Sequence, residues 1–592
     1  MSQSRVILIG GGLAGLMATI RVAEMGRAVD LFSVVPVRRS HSVCAQGGIN
    51  AAKDLKGEGD STWQHFDDTV YGGDFLQNQG PVKRMCDAAP GIIDLLDRMG
   101  VTFNRTAEGL LDFRRFGGTL FNRTAFAGAT TGQQLLYALD EQVRLFEAEG
   151  KVRKLEGWMF VSAVMDETGT CRGVCAVNLR TCQVKTFPAD AVIVATGGLG
   201  SIFRQSTNSV ACTGSAQSAL FQQGVHYANA EMIQVHPTAI PGEDKCRLIS
   251  ESVRGEGGRV WVPKTVGDKR DPRSIPENER FYFLEEWYPK YGNLVPRDVA
   301  TRAIHKVVFE EGLGIDGKAV VFLDVTHLPR EMLTRKLGGV LEIYEKFVGL
   351  DPRDHPMKVF PAQHYTMGGL WIDNEKQATN LPGIFAAGEC EYQYHGANRL
   401  GANSLLSCIY GGMIAGQAAV QYTKGLESGA EAVSSAVFEG EGKRQEEIYE
   451  RLRTQEGPEN PITIWKEMGE TMTQHVTVIR YNKGLEAADA KLAELQDRYQ
   501  RINLADTDRW GNQSLHFTRE LGNMLVLARL ITQGALLRDE SRGAHYKPEF
   551  PERDDENWLH TSRAAYENGK FKFQLDPVDT SLIPPRKRNY KS

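Results

Sequence analysis

The sequence predicts an α/β protein: a Rossmann-like dinucleotide-binding domain interrupted by an inserted α+β capping domain, then a helical domain and a small C-terminal domain. Three observations carry this prediction. A short β-branched run, Arg5 to Ile9, leads straight into Gly10-Gly11-Gly12-Leu13-Ala14-Gly15 and a helical pattern. Two further apolar runs, Ala191 to Gly198 and Leu381 to Gly388, carry glycine turns of their own far along the chain, as strands of one parallel sheet do when other segments are threaded between them. Beyond about residue 426 the apolar residues recur at helical spacing.

Taken in order, the opening is a complete βαβ unit. Leu13, Leu16, Met17 and Ile20 fall on one helical face, Gly26 stops the helix, and Val29 to Phe32 form the second strand. Gly10, Gly12 and Gly15 make the dinucleotide fingerprint: a tight turn, a close approach of backbone to pyrophosphate, and close packing of helix on strand. The phosphate charge then sits at a helix N-terminus. Ser33 stands where an acidic residue usually meets the ribose, so the fingerprint leaves NAD and FAD both open. Residues 236–349 change character, with a polar, proline-bearing stretch at Pro263 to Arg280, and predict the inserted domain; 1–235 and 350–425 then form the dinucleotide domain. Residues 426–535 predict the helical domain from Met468, Met472, Val476 and Ile479, then Leu485, Ala488, Leu492, Leu495, Tyr499 and Ile502. Residues 536–592 form the C-terminal domain, and the basic stretch from Pro584 to Lys591 reads as a solvated tail.

Composition limits the function. With 592 residues, 41% hydrophobic, 24% charged and a net charge of -5, the chain lacks the basic excess that a nucleic-acid partner requires. No run approaches the roughly 18 apolar residues of a membrane span, and the N-terminus lacks a signal-peptide layout. The expected location is the cytoplasmic side. Nine cysteines are sparse, and Cys171, Cys175 and Cys182 lack the paired short spacings of a zinc or iron–sulfur site, so no resident metal is predicted.

The segment Arg39-Ser40-His41-Ser42-Val43-Cys44-Ala45-Gln46-Gly47-Gly48 resembles the flavin-attachment signature of succinate dehydrogenase and fumarate reductase flavoproteins. The resemblance implies FAD bonded covalently through His41, with Ser42, Ala45, Gln46, Gly47 and Gly48 beside the isoalloxazine. It continues in order to Arg538–Tyr546 and Glu552–Trp558. Thr366–Gly369, Ala386–Glu389 and Asn398–Leu405 are similar to the family's second flavin-contacting region, which implies contacts from Glu389, Asn403, Ser404 and Leu405. Ala195, Thr196 and Gly197, after the third strand, join Ser33 on the cofactor. One departure lies in Thr213-Gly214-Ser215-Ala216, where many relatives carry an aspartate in place of Ser215.

A small dicarboxylate needs fixed cationic or hydrogen-bonding groups at both ends, and the planar fork of Arg suits a carboxylate. His236, Ser250, His364 and Arg399 match the family's carboxylate-binding positions, Ser250 where threonine is common. Arg297 matches the residue that exchanges a proton with the substrate carbon. Because arginine is a poor base in water, it needs a relay, which maps onto Glu251 and Arg254; their spacing of three shares one helical face.

The resemblance implies oxidation of succinate to fumarate, or the reverse, with the inserted domain closing about hinges near His236 and Gly349. Electrons would pass to or from an iron–sulfur subunit and on to a quinone, of the menaquinone type, through a di-haem cytochrome b membrane anchor, with this subunit peripheral on the membrane. Two alternatives remain: a soluble L-aspartate oxidase-like flavoenzyme, against which His41 argues, and a silent flavin-binding assembly subunit, against which the retained catalytic positions argue.

Overall fold

The computed structural model describes residues 4–240, 242 and 245–591. Its central sheet is parallel, in the order Ile384–Ala386, Ala191–Val194, Arg5–Ile9, Ala28–Ser33, Val152–Glu156. Leu8 lies opposite both Ile193 and Leu31, and all three are buried, as a sheet covered on both faces requires. The last strand is shorter than the run Leu381 to Gly388 suggests. Pro382 has no N–H to give a ladder, and Gly383 turns at φ +85°.

Helix Leu13–Glu24 starts directly from the glycine turn, and the chain leaves it through Gly26 at φ +82°. It packs along helix Asn403–Lys424. Gly412 and Gly416 allow this: a Cβ at Gly412 would meet the Ala14 carbonyl oxygen at 2.5 Å. The long helix therefore brings its N-terminus, Ala402 to Leu405, up to the same end of the sheet as the glycine turn.

Two features were not drawn from the sequence. An antiparallel meander, Trp158–Met165, Cys171–Asn178 and Val184–Pro188, follows the fifth strand of the sheet order. The capping sheet runs Arg247–Leu248, Ile233–Ile240, Met357–Thr366, Val321–Asp324, Arg259–Pro263, Arg280–Phe281. It thus takes in Met357–Thr366, beyond the texture change at 349. That strand pairs with Ile233–Ile240 on one side and Val321–Asp324 on the other, tying the insert to both of its connections. The cap has a core of its own, built around fully buried Trp261, whose indole N–H donates to Asp324 at 3.1 Å.

The helical domain holds helices Ser435–Thr454, Pro461–His475, Asn482–Tyr499 and Gln513–Leu537, with Met468, Met472, Leu485, Ala488, Leu492 and Leu495 facing inward. The C-terminal hairpin His560–Glu567 and Lys570–Pro577 adds to the pair Tyr227–Ala228 and Gly369–Leu370.

The final stretch is not a solvated tail. Ile583 and Tyr590 are buried, and Tyr590 packs edge-on against Tyr71 and Tyr291. The Arg588 guanidinium donates to Asp298 at 2.9 Å and lies 3.5 Å from Asp74. Charge pattern in the tail alone misleads, because the carboxylates that receive its cations lie some 290 and 514 residues away in the chain.

Candidate active site

The fold converges on one cavity of about 590 Å³, long enough to run from the glycine turn to the underside of the cap. Its lining includes Gly10, Gly12, Ser33, His41, Ser42, Ala45, Gln46, Gly47, Gly48, Ala195, Thr196, Gly197, Glu389, Ser404 and Leu405 among the expected cofactor residues. Gly15 and Asn403 lie outside it. Gly15 packs behind the turn, where a Cβ would lie 3.1 Å from the Gly10 carbonyl carbon. The Asn403 side chain turns the other way: its Oδ1 accepts from Asn50 at 2.8 Å and meets His65 at 2.9 Å, and its Nδ2 donates to Thr69 at 2.9 Å. Three polar partners in the interior hold it there, so it fixes the helix start instead of reaching the cavity.

The cavity suits an extended dinucleotide. A Cβ at Gly10 would lie 2.7 Å from the Ala195 carbonyl carbon, and one at Gly12 would face Ser42 Oγ at 3.2 Å, so backbone alone lines the turn. Gln46 Oε1 and Thr196 Oγ1 are buried without a protein partner, as acceptors and donors waiting for a ligand are. The loop at Gln46–Gly48 is held from behind by buried Arg114, whose guanidinium donates to the carbonyls of Gln46 and Gly47. Gly48 sits at φ +135°, a conformation that demands glycine. His41 opens a short 3-10 turn, His41–Cys44. Its Nδ1 accepts the Ser209 N–H at 3.2 Å, and burial, with the charge of Lys245, lowers its pKa to about 4.

At the far end stand the expected substrate groups. His236, Ser250, Glu251, Arg297, His364 and Arg399 all line the cavity. The His236 and His364 rings approach edge-to-face with centroids 5.0 Å apart. Burial first, then the nearby arginine charges, holds both well below the ordinary histidine pKa, so both are neutral. His236 Nδ1 accepts the Thr238 N–H at 3.2 Å, which places its proton on Nε2, and that atom is buried without a partner. His364 is oriented by Thr207, whose hydroxyl lies 2.7 Å from Nδ1. Ser250 accepts from the Ser252 hydroxyl at 2.8 Å and keeps its own proton to donate.

Arg399 is 2% exposed, stacks over the Tyr365 ring at 4.4 Å and donates to no protein acceptor among the described residues. Burial, then the charge of Arg297, depresses its pKa to about 9. A buried cation without an anion is a costly arrangement that a bound carboxylate relieves.

Arg297, Glu251 and Arg254 form a line. Arg297 Nε and Nη2 reach Glu251 Oε2 at 3.0 and 2.9 Å, and Arg254 Nη2 donates to Glu251 Oε1 at 2.9 Å. Glu251 has helical backbone just before the turn Ser252–Gly255, which puts Glu251 and Arg254 on one face. Burial pushes the Glu251 carboxyl up, but the charges of Arg297 and Arg254 outweigh it and hold it below its usual value. Arg254 lies behind the cavity and donates to the Asn293 carbonyl at 2.6 Å.

Sequence reading missed Gln234, which accepts from Arg297 Nη1 at 2.9 Å and donates to the Arg399 carbonyl at 2.8 Å. It also missed Thr207. Neither carries a motif; each becomes visible only once the histidine or arginine it orients has been placed. The cap is closed over the site: Gly118 N–H donates to the Leu294 carbonyl at 3.0 Å, and Gln46 Nε2 to the Leu248 carbonyl at 3.0 Å.

Comparison with known proteins identifies the family. The FAD binding domain model matches residues 5–405, and the fumarate reductase flavoprotein C-term model matches residues 465–590. The chain is 61% identical to the succinate dehydrogenase flavoprotein subunit of Bacillus subtilis, covering 100% of this chain and 99% of that one. It is 34% identical to the fumarate reductase flavoprotein subunit of Escherichia coli, covering 99% and 96%. A solved quinol-fumarate reductase with menaquinol molecules superposes with a TM-score of 0.90 at 32% identity, covering 99% of this chain and 100% of that chain. The glycine cradle, the His41 turn and the arginine line therefore sit on a chain that belongs to the flavoprotein subunits of succinate dehydrogenase and fumarate reductase.

Proposed function

We propose that this chain interconverts succinate and fumarate, with FAD held covalently through His41 and a proton moved along Arg297, Glu251 and Arg254. The observation that carries the reading is the unbroken arginine–carboxylate–arginine line. It opens onto the same cavity as an unpartnered Arg399, two neutral histidines and the glycine cradle.

Bound FAD supplies the acceptor for the hydride that leaves one substrate carbon. The protein's part is binding and proton handling. Arg399 takes one substrate carboxylate on its free guanidinium, and His236 Nε2–H, His364 and the Ser250 hydroxyl take the other end. Arg297 faces the carbon that loses the proton. Arginine serves as a base only if its own proton has somewhere to go, and Glu251 Oε2 lies 2.9 Å from Nη2 to receive it. Arg254 on the opposite carboxylate oxygen can exchange a proton with Glu251, while the Asn293 carbonyl only holds its guanidinium in place. In the reverse direction the same line delivers a proton to fumarate. Closure of the cap excludes water, which strengthens each of these contacts.

Nδ1 of His41 accepts the Ser209 N–H at 3.2 Å and Nε2 lies 3.3 Å from the Asn208 amide nitrogen, a side-chain contact that a flavin bond at Nε2 would displace more readily than the backbone one. Electrons leave through an iron–sulfur subunit to a membrane anchor of the di-haem cytochrome b type and to menaquinone, with this subunit on the cytoplasmic face. The 61% identity to the Bacillus subtilis succinate dehydrogenase flavoprotein subunit supports a place in such a complex, and the likeness to a quinol-fumarate reductase solved with menaquinol molecules supports the quinone. Among the described residues no helix is long and apolar enough to cross a membrane, and no group of three or more His, Cys, Asp or Glu is placed to hold a metal ion.

The test is acid denaturation of the purified protein followed by electrophoresis. Flavin fluorescence should stay with the chain and disappear from its band in His41→Ser. Release of flavin from correctly folded, loaded wild type would refute covalent attachment.

A further inference from the structure

The adenosine half of the cavity contains a carboxylate that comes from the helical domain. Ser33 marks the ribose position, and its carbonyl accepts the Gly157 N–H at 2.8 Å, so the strand beginning at Trp158 runs past that position. Trp158, Met159, Phe160 and Ala216 form an apolar slot there. Helix Ser215–Gln222 packs on strand Trp158–Met165, and helix Gln513–Leu537 packs on helix Ser215–Gln222. From that last helix Glu520 enters the cavity lining.

Ser215 offers the cofactor a hydroxyl in place of a carboxylate, with part of its acceptor capacity already taken. Its hydroxyl accepts from Asn523 Nδ2 at 2.8 Å, and it stands where many relatives carry an aspartate. Glu520 makes one hydrogen bond among the described residues, from the Thr213 hydroxyl to Oε1 at 2.8 Å. Thr213 in turn accepts the Ser215 N–H at 3.3 Å, which fixes the direction of its hydroxyl toward Glu520. The other carboxylates of the lining, Glu251 and Glu389, belong to the arginine line and to the Gly198 and Thr366 side. Oε2 of Glu520 is therefore the carboxylate oxygen of this corner that has no hydrogen bond among the described residues.

We propose that Glu520 is a cofactor-binding residue whose carboxylate accepts a hydrogen bond from the exocyclic amine of adenine, and so selects adenine over a base without a donor there. Above about pH 7, where it has lost its proton, the carboxylate is acceptor-only, which matches an amine and rejects a carbonyl at the same place, so the titration that tests it is run at about pH 8.5. Burial pushes the Glu520 carboxyl up to about 7 with a single hydroxyl for relief, so a second donor is what the site lacks. The inference rests on FAD occupying this cavity, and on neither covalent attachment nor dicarboxylate chemistry.

The test uses the full chain as His41→Ser, stripped of flavin, titrated with FAD and with its deaminated analogue, flavin hypoxanthine dinucleotide, and read by flavin fluorescence. A hydrogen bond to a charged acceptor predicts FAD tighter by about tenfold or more. Glu520→Gln, whose carboxamide donates to the hypoxanthine carbonyl, should collapse or reverse that ratio. Equal affinities with Glu520 intact overturn the proposal, and this comparison needs no change at 520. A loss in Glu520→Gln that is equal for both dinucleotides also overturns it, because it assigns Glu520 to the ribose or to packing. Failure of both to bind overturns the FAD reading itself.

Discussion

Gly117 gives a way to disturb the proton line without removing any of its groups. A Cβ at this position would overlap Glu251 Oε1 and lie 2.8 Å from Glu251 Cδ. Carbon atoms pack at about 3.5–4.0 Å, so Gly117→Ala must push the carboxylate by about 1 Å. The backbone at Gly117 is not in the left-handed region, so alanine brings only its methyl group. Glu251 is held at 2.9–3.0 Å by Arg254 on one oxygen and Arg297 on the other, and a shift of that size breaks at least one of the two pairings. A charge-assisted hydrogen bond in the interior is worth about 1.5–3 kcal/mol, so kcat for succinate should fall by about 10- to 150-fold. KM should change less, because none of the carboxylate-binding groups moves. The assay is steady-state succinate oxidation with an artificial acceptor, beside flavin content per chain and thermal unfolding. A folded, flavin-loaded Gly117→Ala enzyme with kcat within twofold of wild type would refute the line Arg297–Glu251–Arg254 as the proton path.

Three other outcomes follow from the same geometry. Arg399→Lys keeps the charge but loses the planar fork, and should raise KM for succinate by about tenfold or more with a smaller change in kcat, measured by steady-state kinetics. Arg588→Met takes one arginine from buried Asp298 and Asp74 but leaves them Arg302 and Arg553, and should cost about 1.5–3 kcal/mol in denaturant unfolding; adding Asp298→Asn should recover part of that. Stability should also fall as pH is lowered from 6 to 5. His65, His236, His364, His395 and His545 are held neutral in the fold, His65 at about 3, so each binds a proton in this range only when unfolded; His41 does not join them, because its ring is the proposed attachment point of the flavin. Asp68, Glu389, Glu391 and Glu520, raised to between about 6 and about 8, act in the opposite sense, because the folded form holds their protons. The histidines outnumber the acids, so unfolding takes up about one proton and stability drops by about 1.5 kcal/mol over that unit. Equal or greater stability at pH 5 in thermal unfolding would contradict the assignment of neutral buried histidines.

What the sequence made legible was whatever is encoded locally. The βαβ opening is readable because strand, glycine turn and helix are contiguous, and each glycine there answers a steric demand that the fold displays: a Cβ at Gly10 would press on Ala195. Glu251 and Arg254 are readable as a pair because a helical turn converts a spacing of three into a shared face. What stayed hidden was encoded across distance. Tail residue Arg588 looks like any solvated arginine until Asp298 is found beside it. Glu520 sits in an amphipathic helix, where a partly exposed glutamate is ordinary, and only the approach of Thr213 gives it a role. Asn403 shows the converse: its motif is beside the cofactor, but partners at Asn50, His65 and Thr69 decide where its side chain goes.

The same long-range bonding explains how two guanidiniums can share one small site. Arg297 and Arg399 repel each other, and with burial this is what depresses Arg399. Each stands next to a residue that grips the other's segment. Asp298 Oδ1 accepts from Asn398 Nδ2 at 3.0 Å, and Gln234 closes the ring, accepting from Arg297 while donating to Asn398 Oδ1 at 2.8 Å. Arg297 and Asp298 begin a helix of the cap, whereas Asn398 and Arg399 lie on the loop before helix Asn403–Lys424, so the ring forms only with the cap closed. Asp298 also takes Arg302 at 3.1 Å and Arg588 at 2.9 Å, which carries the ring out to the C-terminal strap. Arg297 has the Glu251 carboxylate, and bound substrate supplies the anion that Arg399 lacks. Until then the ring and the strap offset their repulsion, and the cap presents a formed site instead of one assembled by the ligand.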